Sequence, residues 1–268
     1  MKARDLFRVP DKFTLREEDA ARQPLGDGSK SGDKERTDQV LERVSDLQTI
    51  LYAQRKHKVL LVLQGMDTSG KDGAVRSLYS GINPVGLRAT SFKAPTPLEA
   101  GYDYLWRVHQ HVPAKGEIAI FNRSHYEEVL ITRVLKQIGS KECQRRYGHI
   151  RDFERMLAET GTTIVKVFLH ISKDEQRKRL QARLEDPKKQ WKFDQSDIDQ
   201  RKKWRTFQDA YEDAILATDA DHAPWFIVPA DSKPHRDLAI ATLLLETLQD
   251  LRLRWPPPDA KLAELKIR

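Results

Sequence analysis

Nine consecutive residues, Gly65-Met66-Asp67-Thr68-Ser69-Gly70-Lys71-Asp72-Gly73, contain a Gly-x₄-Gly-Lys spacing. Between a buried strand and a helix, that spacing predicts a loop whose backbone N–H groups and helix N-terminus face phosphate oxygens. Lys71 would add a mobile positive charge near a transferred group. Two residues depart from the usual pattern. Asp72 replaces the Ser or Thr that normally follows the lysine, so the hydroxyl that ordinarily holds Mg²⁺ is absent, and Asp67 places a carboxylate inside the loop. A carboxylate beside phosphates is tolerable when it binds Mg²⁺ or faces an acceptor. An ordinary strand-to-helix turn is the competing reading, and the elements expected on both sides disfavour it.

A second polar cluster, Asn122-Arg123-Ser124-His125-Tyr126-Glu127-Glu128, follows the apolar run Ile118–Phe121. The carboxyl end of a central strand is where an α/β sheet opens its ligand crevice. Arg123 suits bidentate phosphate contact, and the acids suit a metal or the positioning of a nucleophile. Glu127 and Glu128 would equally favour the first turn of a following helix. Arg133, two turns on, would share a side of that helix with Glu127. His125 fits a phosphate donor and a hydrogen-bonded structural histidine equally well.

These residues need a scaffold, and the apolar pattern supplies one. Short continuous apolar runs at 58–64, 87–92, 117–121, 163–170 and 225–228 read as strands buried on both faces. Helical stretches are expected at 40–52, 74–80, 98–110, 125–138, 142–159, 173–184, 198–216 and 236–251. Strands alternating with helices imply βαβ units and a parallel sheet. The expected fold is a three-layer αβα domain with about five strands. Residues 1–34, with Pro10, Pro24 and the cluster 26–33, read as an extended arm. Residues 35–255 read as the main domain, and 256–268, opening on Pro256-Pro257-Pro258, as a polar tail.

Composition narrows the class further. The chain has 268 residues, 39% of them hydrophobic, enough for one sizeable core. Its only cysteine, Cys143, excludes an intramolecular disulfide framework and fits a reducing cytosol. No secretory signal or membrane-length apolar stretch is visible, so a soluble cytoplasmic protein is expected. The formal charge is +7, and residues 173–205 hold twelve Lys/Arg against seven Asp/Glu, most of that surplus. A charge run is most often a solvated helix face; a polyanion landing surface is the sharper reading. Downstream of Ser172, whose spacing to Glu175 suits a capping box, the helix breaks at Asp186-Pro187 into Lys188-Lys189-Gln190-Trp191-Lys192-Phe193. In a P-loop kinase a lid closes there over the phosphates.

Together with Ser91-Phe92-Lys93-Ala94-Pro95-Thr96 and Asp103-Tyr104-Leu105-Trp106-Arg107-Val108-His109, these segments resemble the polyphosphate kinase type 2 family, from about Leu47 to Leu251. The form of the loop resembles its third class, which phosphorylates nucleoside mono- and diphosphates. The resemblance implies a P-loop kinase fold with a helical lid at about 173–205. It implies reversible, Mg²⁺-dependent (or Mn²⁺-dependent) transfer of a terminal phosphoryl group between inorganic polyphosphate and purine nucleotides. By the same resemblance Asp67 orients the acceptor and the metal, Lys71 and Arg123 hold the transferred phosphoryl, and Glu127 with Glu128 forms the acidic side of the metal site. Gly65, Thr68, Ser69, Gly70, Asp72 and Gly73 form the phosphate loop. Arg133, Arg179, Arg183, Lys188, Lys189 and Lys192 would meet the polyphosphate chain. The family usually has Tyr-Glu-Asp where this chain has Tyr126-Glu127-Glu128, so the second acid keeps its charge but moves it by one methylene. A homo-oligomer, dimer or tetramer, is also implied.

Two rival readings predict different behaviour. An ATP-dependent P-loop nucleotide kinase would use ATP and not polyphosphate. A basic nucleic-acid-binding protein would show no phosphotransfer, and the aromatics do not cluster as a base-stacking platform.

Overall fold

The computed structural model describes residues 2–259, apart from the side chains of Lys192 and Ser196. Its strands are β1 (Lys58–Gly65), β2 (Leu87–Ser91), β3 (Ile118–Asn122), β4 (Thr162–His170) and β5 (Trp225–Pro229). They form one parallel sheet ordered β2-β3-β1-β4-β5, as the alternating pattern predicts. Eleven helices are described: α1 (Ala3–Phe7), α2 (Lys30–Gln54), α3 (Lys71–Gly81), α4 (Pro97–Ala100), α5 (Trp106–His109), α6 (Ile131–Val134), α7 (Ser140–Glu159), α8 (Lys173–Glu185), α9 (Gln195–Lys202), α10 (Trp204–Thr218) and α11 (Lys233–Asp250).

Because side chains alternate along a strand, β1 feeds two cores. Leu60 and Val62 join the cluster under α7 and α10, while Val59, Leu61 and Leu63 join that under α2, α3 and α11. All five of these residues are fully buried, which explains why β1 reads as an unbroken apolar run. The result is the three-layer arrangement expected.

Several boundaries differ from the sequence expectation, each for a local reason. The stretch 98–110 is two short helices. A Thr96/Glu99 capping box starts α4 and Gly101 stops it, and Asp103 Oδ1 then accepts from the N–H of Leu105 and Trp106 to start α5. The expected helix 125–138 is a 3₁₀ turn, His125–Glu128, followed by α6. Tyr126 is drawn into the core there, where its hydroxyl lies in hydrogen-bond reach of Glu154 Oε1 (2.8 Å) and Thr218 Oγ1 (3.0 Å). The helix expected at 198–216 breaks at Lys203, so α9 and α10 are separate.

The arm expected at 1–34 is built into the body. Ala3, Phe7, Val9, Leu15 and Ala20 are buried, and Val9 N–H donates to Trp225 O (3.1 Å) along β5. Helix α2 already begins at Lys30, capped by Ser29 Oγ accepting from Gly32 N–H (2.9 Å), so the boundary placed at 34 falls inside it. Residues 253–259 follow α11 without regular structure, and the rest of the expected tail, 260–268, lies outside the described residues.

Candidate active site

β1 and β3 pair with Leu63 beside Asn122, so the segments leaving their carboxyl ends are neighbours, and Arg123 N–H donates to Leu63 O (3.0 Å). The β1 segment is the stretch expected to form the phosphate loop, and α3 starts at Lys71 with Gly70 as its cap at φ 103°. A side chain at Gly70 would be strained by that φ and would also run into the Arg236 guanidinium. Thr68 and Arg123 hold left-handed φ values of 64° and 62°, on the order of 1 kcal/mol of strain each, which the surrounding bonds must offset.

Four of the expected residues line one another across this crevice. Arg123 NH2 donates to Asp67 Oδ1 (2.7 Å), and its NH1 lies 3.8 Å from Glu127 Oε2. The Gln64 amide, oriented to donate to Glu127 Oε1 (3.1 Å), accepts from Ser124 N–H (3.1 Å) and fixes the first turn after β3. Lys71 is buried, its ammonium donating to Gly65 O (2.7 Å) and Met66 O (3.2 Å). Burial, and next the Arg123 charge, lower its pKa to about 8 against the pull of Asp67, Glu127 and Asp72. Burial raises Glu127 above the ordinary carboxylate range even though Arg123 and Lys71 oppose it. Leu130, Ile131, Phe207 and Tyr211 close the apolar side of the same pocket.

Within the loop, Asp72 accepts from Asn122 Nδ2 (2.7 Å), so the residue standing where a hydroxyl is usual ties the loop to β3. The Thr68 and Ser69 hydroxyls are buried without a partner among the described residues. No three His, Cys, Asp or Glu side chains converge as a ready-made metal cage among the described residues. Asp67 and Glu127 offer two hard oxygen donors. That fits Mg²⁺, which is typically bound through one or two carboxylates with substrate phosphates completing its shell.

The remaining expected residues are distributed differently. The Glu128 carboxylate turns away from Asp67, toward Arg107 NH2 (3.6 Å) and Arg146 NH1 (3.3 Å), so it is not part of this acidic pair. The 3₁₀ geometry at 125–128 sends consecutive side chains to different sides. Arg133 lies away from Glu127, bonded to Tyr147 OH (3.2 Å) and Asp213 Oδ2 (2.6 Å), because the single helix expected to carry both is not formed. His125 is fully buried with Nε2 3.1 Å from Glu154 Oε1, matching its structural reading. Arg179 is also buried and fully engaged with backbone carbonyls and Glu175. Arg183 lies 3.6 Å from Asp197, Lys189 pairs with Asp186 (2.6 Å), and Lys188 is exposed. The Lys192 side chain lies outside the described residues. Ser172 Oγ caps α8 by accepting from Glu175 N–H (3.1 Å), but Ser172 N–H goes to Asp231 Oδ1 (2.8 Å), so only half of the expected capping box forms.

Sequence reasoning misses Gln64, Gln176, Tyr211 and Arg236. Gln176, Arg179 and Arg183 do recur at i, i+3 and i+7, a polar stripe on one face of α8 that marks a side turned to something polar. Arg236 on α11 is brought against the loop only by the fold, and no local spacing announces it.

A family profile described as "Polyphosphate kinase 2 (PPK2)" matches residues 27–254. The chain belongs to the polyphosphate kinase 2 family. It is 48% identical over 263 residues to the AMP/ADP-polyphosphate phosphotransferase of Meiothermus ruber, covering 97% of this chain and 98% of that protein. It is 45% identical over 228 residues to the ADP-polyphosphate phosphotransferase of Rhodopseudomonas palustris, covering 81% and 79%. The crystal structure of polyphosphate kinase 2 from Arthrobacter aurescens TC1 superposes with a TM-score of 0.95 at 42% identity, covering 98% of this chain and 95% of that one.

Proposed function

We propose that this chain is a Mg²⁺-dependent polyphosphate:nucleotide phosphotransferase. In this reading it moves the terminal phosphoryl group of inorganic polyphosphate reversibly onto AMP, ADP and the corresponding guanine nucleotides. The observation that carries the reading is the crevice itself, where Lys71 and Arg123 face Asp67 and Glu127 at the mouth of β1 and β3. An acceptor phosphate oxygen attacks the terminal phosphorus of the chain. The new O–P bond forms as the bridging P–O bond breaks, and a polyphosphate one unit shorter leaves with the bonding electrons. The nucleophile is already anionic, so no strong general base is needed, and positioning with charge neutralisation supplies most of the rate.

Each residue then has a task that its surroundings support. The loop amides and the start of α3 hold the terminal phosphoryl oxygens. Lys71 and Arg123 neutralise charge that spreads over those oxygens. Two cations and two carboxylates nearly cancel in the crevice, so an incoming phosphate chain needs further positive charge. Asp67 and Glu127 would hold Mg²⁺, which supplies that charge when bound. Exposed Lys188 and Lys189, with half-buried Arg183 beside Asp197, offer a second bank of cations for the remainder of the donor. Phe207, Tyr211, Leu130 and Ile131 keep bulk water from one wall.

Purified protein with Mg²⁺, ADP and polyphosphate is expected to form ATP, and with AMP to form ADP. No turnover with polyphosphate, together with turnover of ATP as donor, would instead indicate an ordinary nucleotide kinase. Undetectable AMP phosphorylation would restrict the acceptors to diphosphates. A homo-oligomer in the cytoplasm completes the reading. Light scattering tests the first part. No helix among the described residues is long and apolar enough to cross a membrane.

A further inference from the structure

Five consecutive carbonyls of the phosphate loop are taken by side-chain donors. Lys71 Nζ takes Gly65 O and Met66 O, Gln176 Nε2 takes Asp67 O (3.1 Å), and Arg179 NH1 takes Thr68 O (2.9 Å) and Ser69 O (3.1 Å). The last three carbonyls are thus held by two residues one turn apart on α8. The rest of the Arg179 guanidinium is equally committed: NH2 donates to Ala230 O (2.6 Å) and Asp231 O (2.9 Å), and Nε to Glu175 Oε1 (2.8 Å). A guanidinium has five N–H donors and no acceptor, and all five are in use. The side chain is buried, so it has neither a donor nor an exposed face left for a phosphate chain.

A trans peptide unit points its N–H opposite to its C=O. Drawing the carbonyls of Asp67 and Ser69 toward α8 therefore turns the N–H groups of Thr68 and Gly70 the other way, while Ser69 N–H closes the loop onto Met66 O (3.1 Å). We infer that Arg179, seconded by Gln176, is a positioning residue that shapes the phosphate loop before substrate arrives, and does not touch polyphosphate. It ties the loop, the first turns of α8 and the carboxyl end of β5 into one unit. Lysine cannot replace it, because three tetrahedral donors cannot span four carbonyls and a carboxylate. The same bonds set where the basic segment can move. Helix α8 is fastened to the loop as far as Arg179, so any closing motion begins past that point, toward Asp186-Pro187.

The inference rests on the phosphotransferase reading, and the wild-type enzyme separates the two: without wild-type turnover from polyphosphate it is that reading which fails. Given wild-type turnover, Arg179→Lys and Arg179→Ala should both lower kcat with ADP by on the order of 10²-fold, the cost of misplacing reacting groups by about 1 Å. The slope of log KM for polyphosphate against log salt should stay at its wild-type value in both, since neither change removes a cation that meets the phosphate chain. Hydrogen exchange of the free protein should speed up in the peptide covering 65–73 and not in β3. Gln176→Leu, a milder change, should show the same faster exchange with about a 10-fold loss of kcat, roughly one buried hydrogen bond's worth. Retention of near wild-type kcat by Arg179→Lys, a slope shallower by about 1 in Arg179→Ala, or unchanged exchange over 65–73 in Gln176→Leu would each overturn the inference.

Discussion

The phosphate loop and the segment after Asp186 carry the two kinds of group that a phosphate chain needs, and the fold treats them in opposite ways. In the loop, Lys71 is buried against two carbonyls, Arg123 is bonded to Asp67, and Arg179 and Gln176 hold three further carbonyls. Past Asp186, Lys188 is exposed and Lys189 pairs with Asp186 on the surface. The first region is organised before the ligand arrives, so its dipoles need little rearrangement at the moment of transfer. The second attracts at longer range through charge that water and salt screen. Loop residues should therefore govern kcat, and segment residues should govern capture of the donor.

The sharpest way to break this division is at its buried end. Lys71→Ala, Asp67→Asn and Arg123→Ala should each lower ATP formation from ADP and polyphosphate by at least about 10³-fold, the upper range for losing one preorganised charge-stabilising group. Circular dichroism and melting should show the fold intact. Near wild-type turnover in any of the three would remove that residue from the transfer step.

Next comes a neighbouring pair that the structure separates. Glu127→Gln should cost about 10²-fold in kcat and raise the Mg²⁺ concentration needed, because it removes half of the carboxylate pair in the crevice. Glu128→Gln should leave the Mg²⁺ requirement unchanged and lower stability by about 1–3 kcal/mol, since Arg107 and Arg146 lose their shared partner. Equal shifts of the Mg²⁺ requirement in both variants would restore Glu128 to the metal site.

The pH profile carries a smaller effect with a definite sign. The protonated Lys71 is the competent form, and in the free enzyme it loses its proton as pH rises through about 8. The kcat/KM for polyphosphate should therefore fall above that pH. On the acid side Glu127 must be ionised, and burial moves its titration above the usual carboxylate range, so the fall begins at a higher pH than for an exposed glutamate. A flat profile between pH 7 and about 9.5 would show that Lys71 is not titrating.

The smallest effects belong to the cations of the basic segment. Arg183→Ala, Lys188→Ala and Lys189→Ala should each raise the KM for polyphosphate several-fold with little change in kcat, and make its salt slope shallower by about 1 for each phosphate-neutralising cation removed. A loss confined to kcat would place these residues with the loop instead.

How far each region can be read from sequence follows the same division. The loop, its flanking strand and helix, and the Arg123–Glu127 cluster depend on spacing along the chain, and spacing is visible. The apolar runs likewise give β1, β3, β4 and β5, because strands buried on both faces suppress polar residues. At the margin of the sheet, β2 is only half-buried and carries Arg88 and Thr90, so the expectation of burial on both faces fails there. What stays hidden depends on where distant side chains meet. By the family resemblance Arg179 is one more lid cation, and only the fold surrounds it with Thr68, Ser69, Ala230 and Asp231. Helical periodicity misplaces Arg133 and Glu128, because it runs through a stretch that the buried Tyr126 interrupts.

The arm that crosses β5 bears on assembly. A strand at the margin of a sheet exposes unpaired N–H and C=O groups that can recruit a strand from another molecule. Here Val9 N–H already occupies Trp225 O, and Arg8 bridges Phe226 in antiparallel fashion, with α1 packed beside them. That margin is closed by the chain itself. A second copy could therefore extend the sheet at β5 only by displacing this arm.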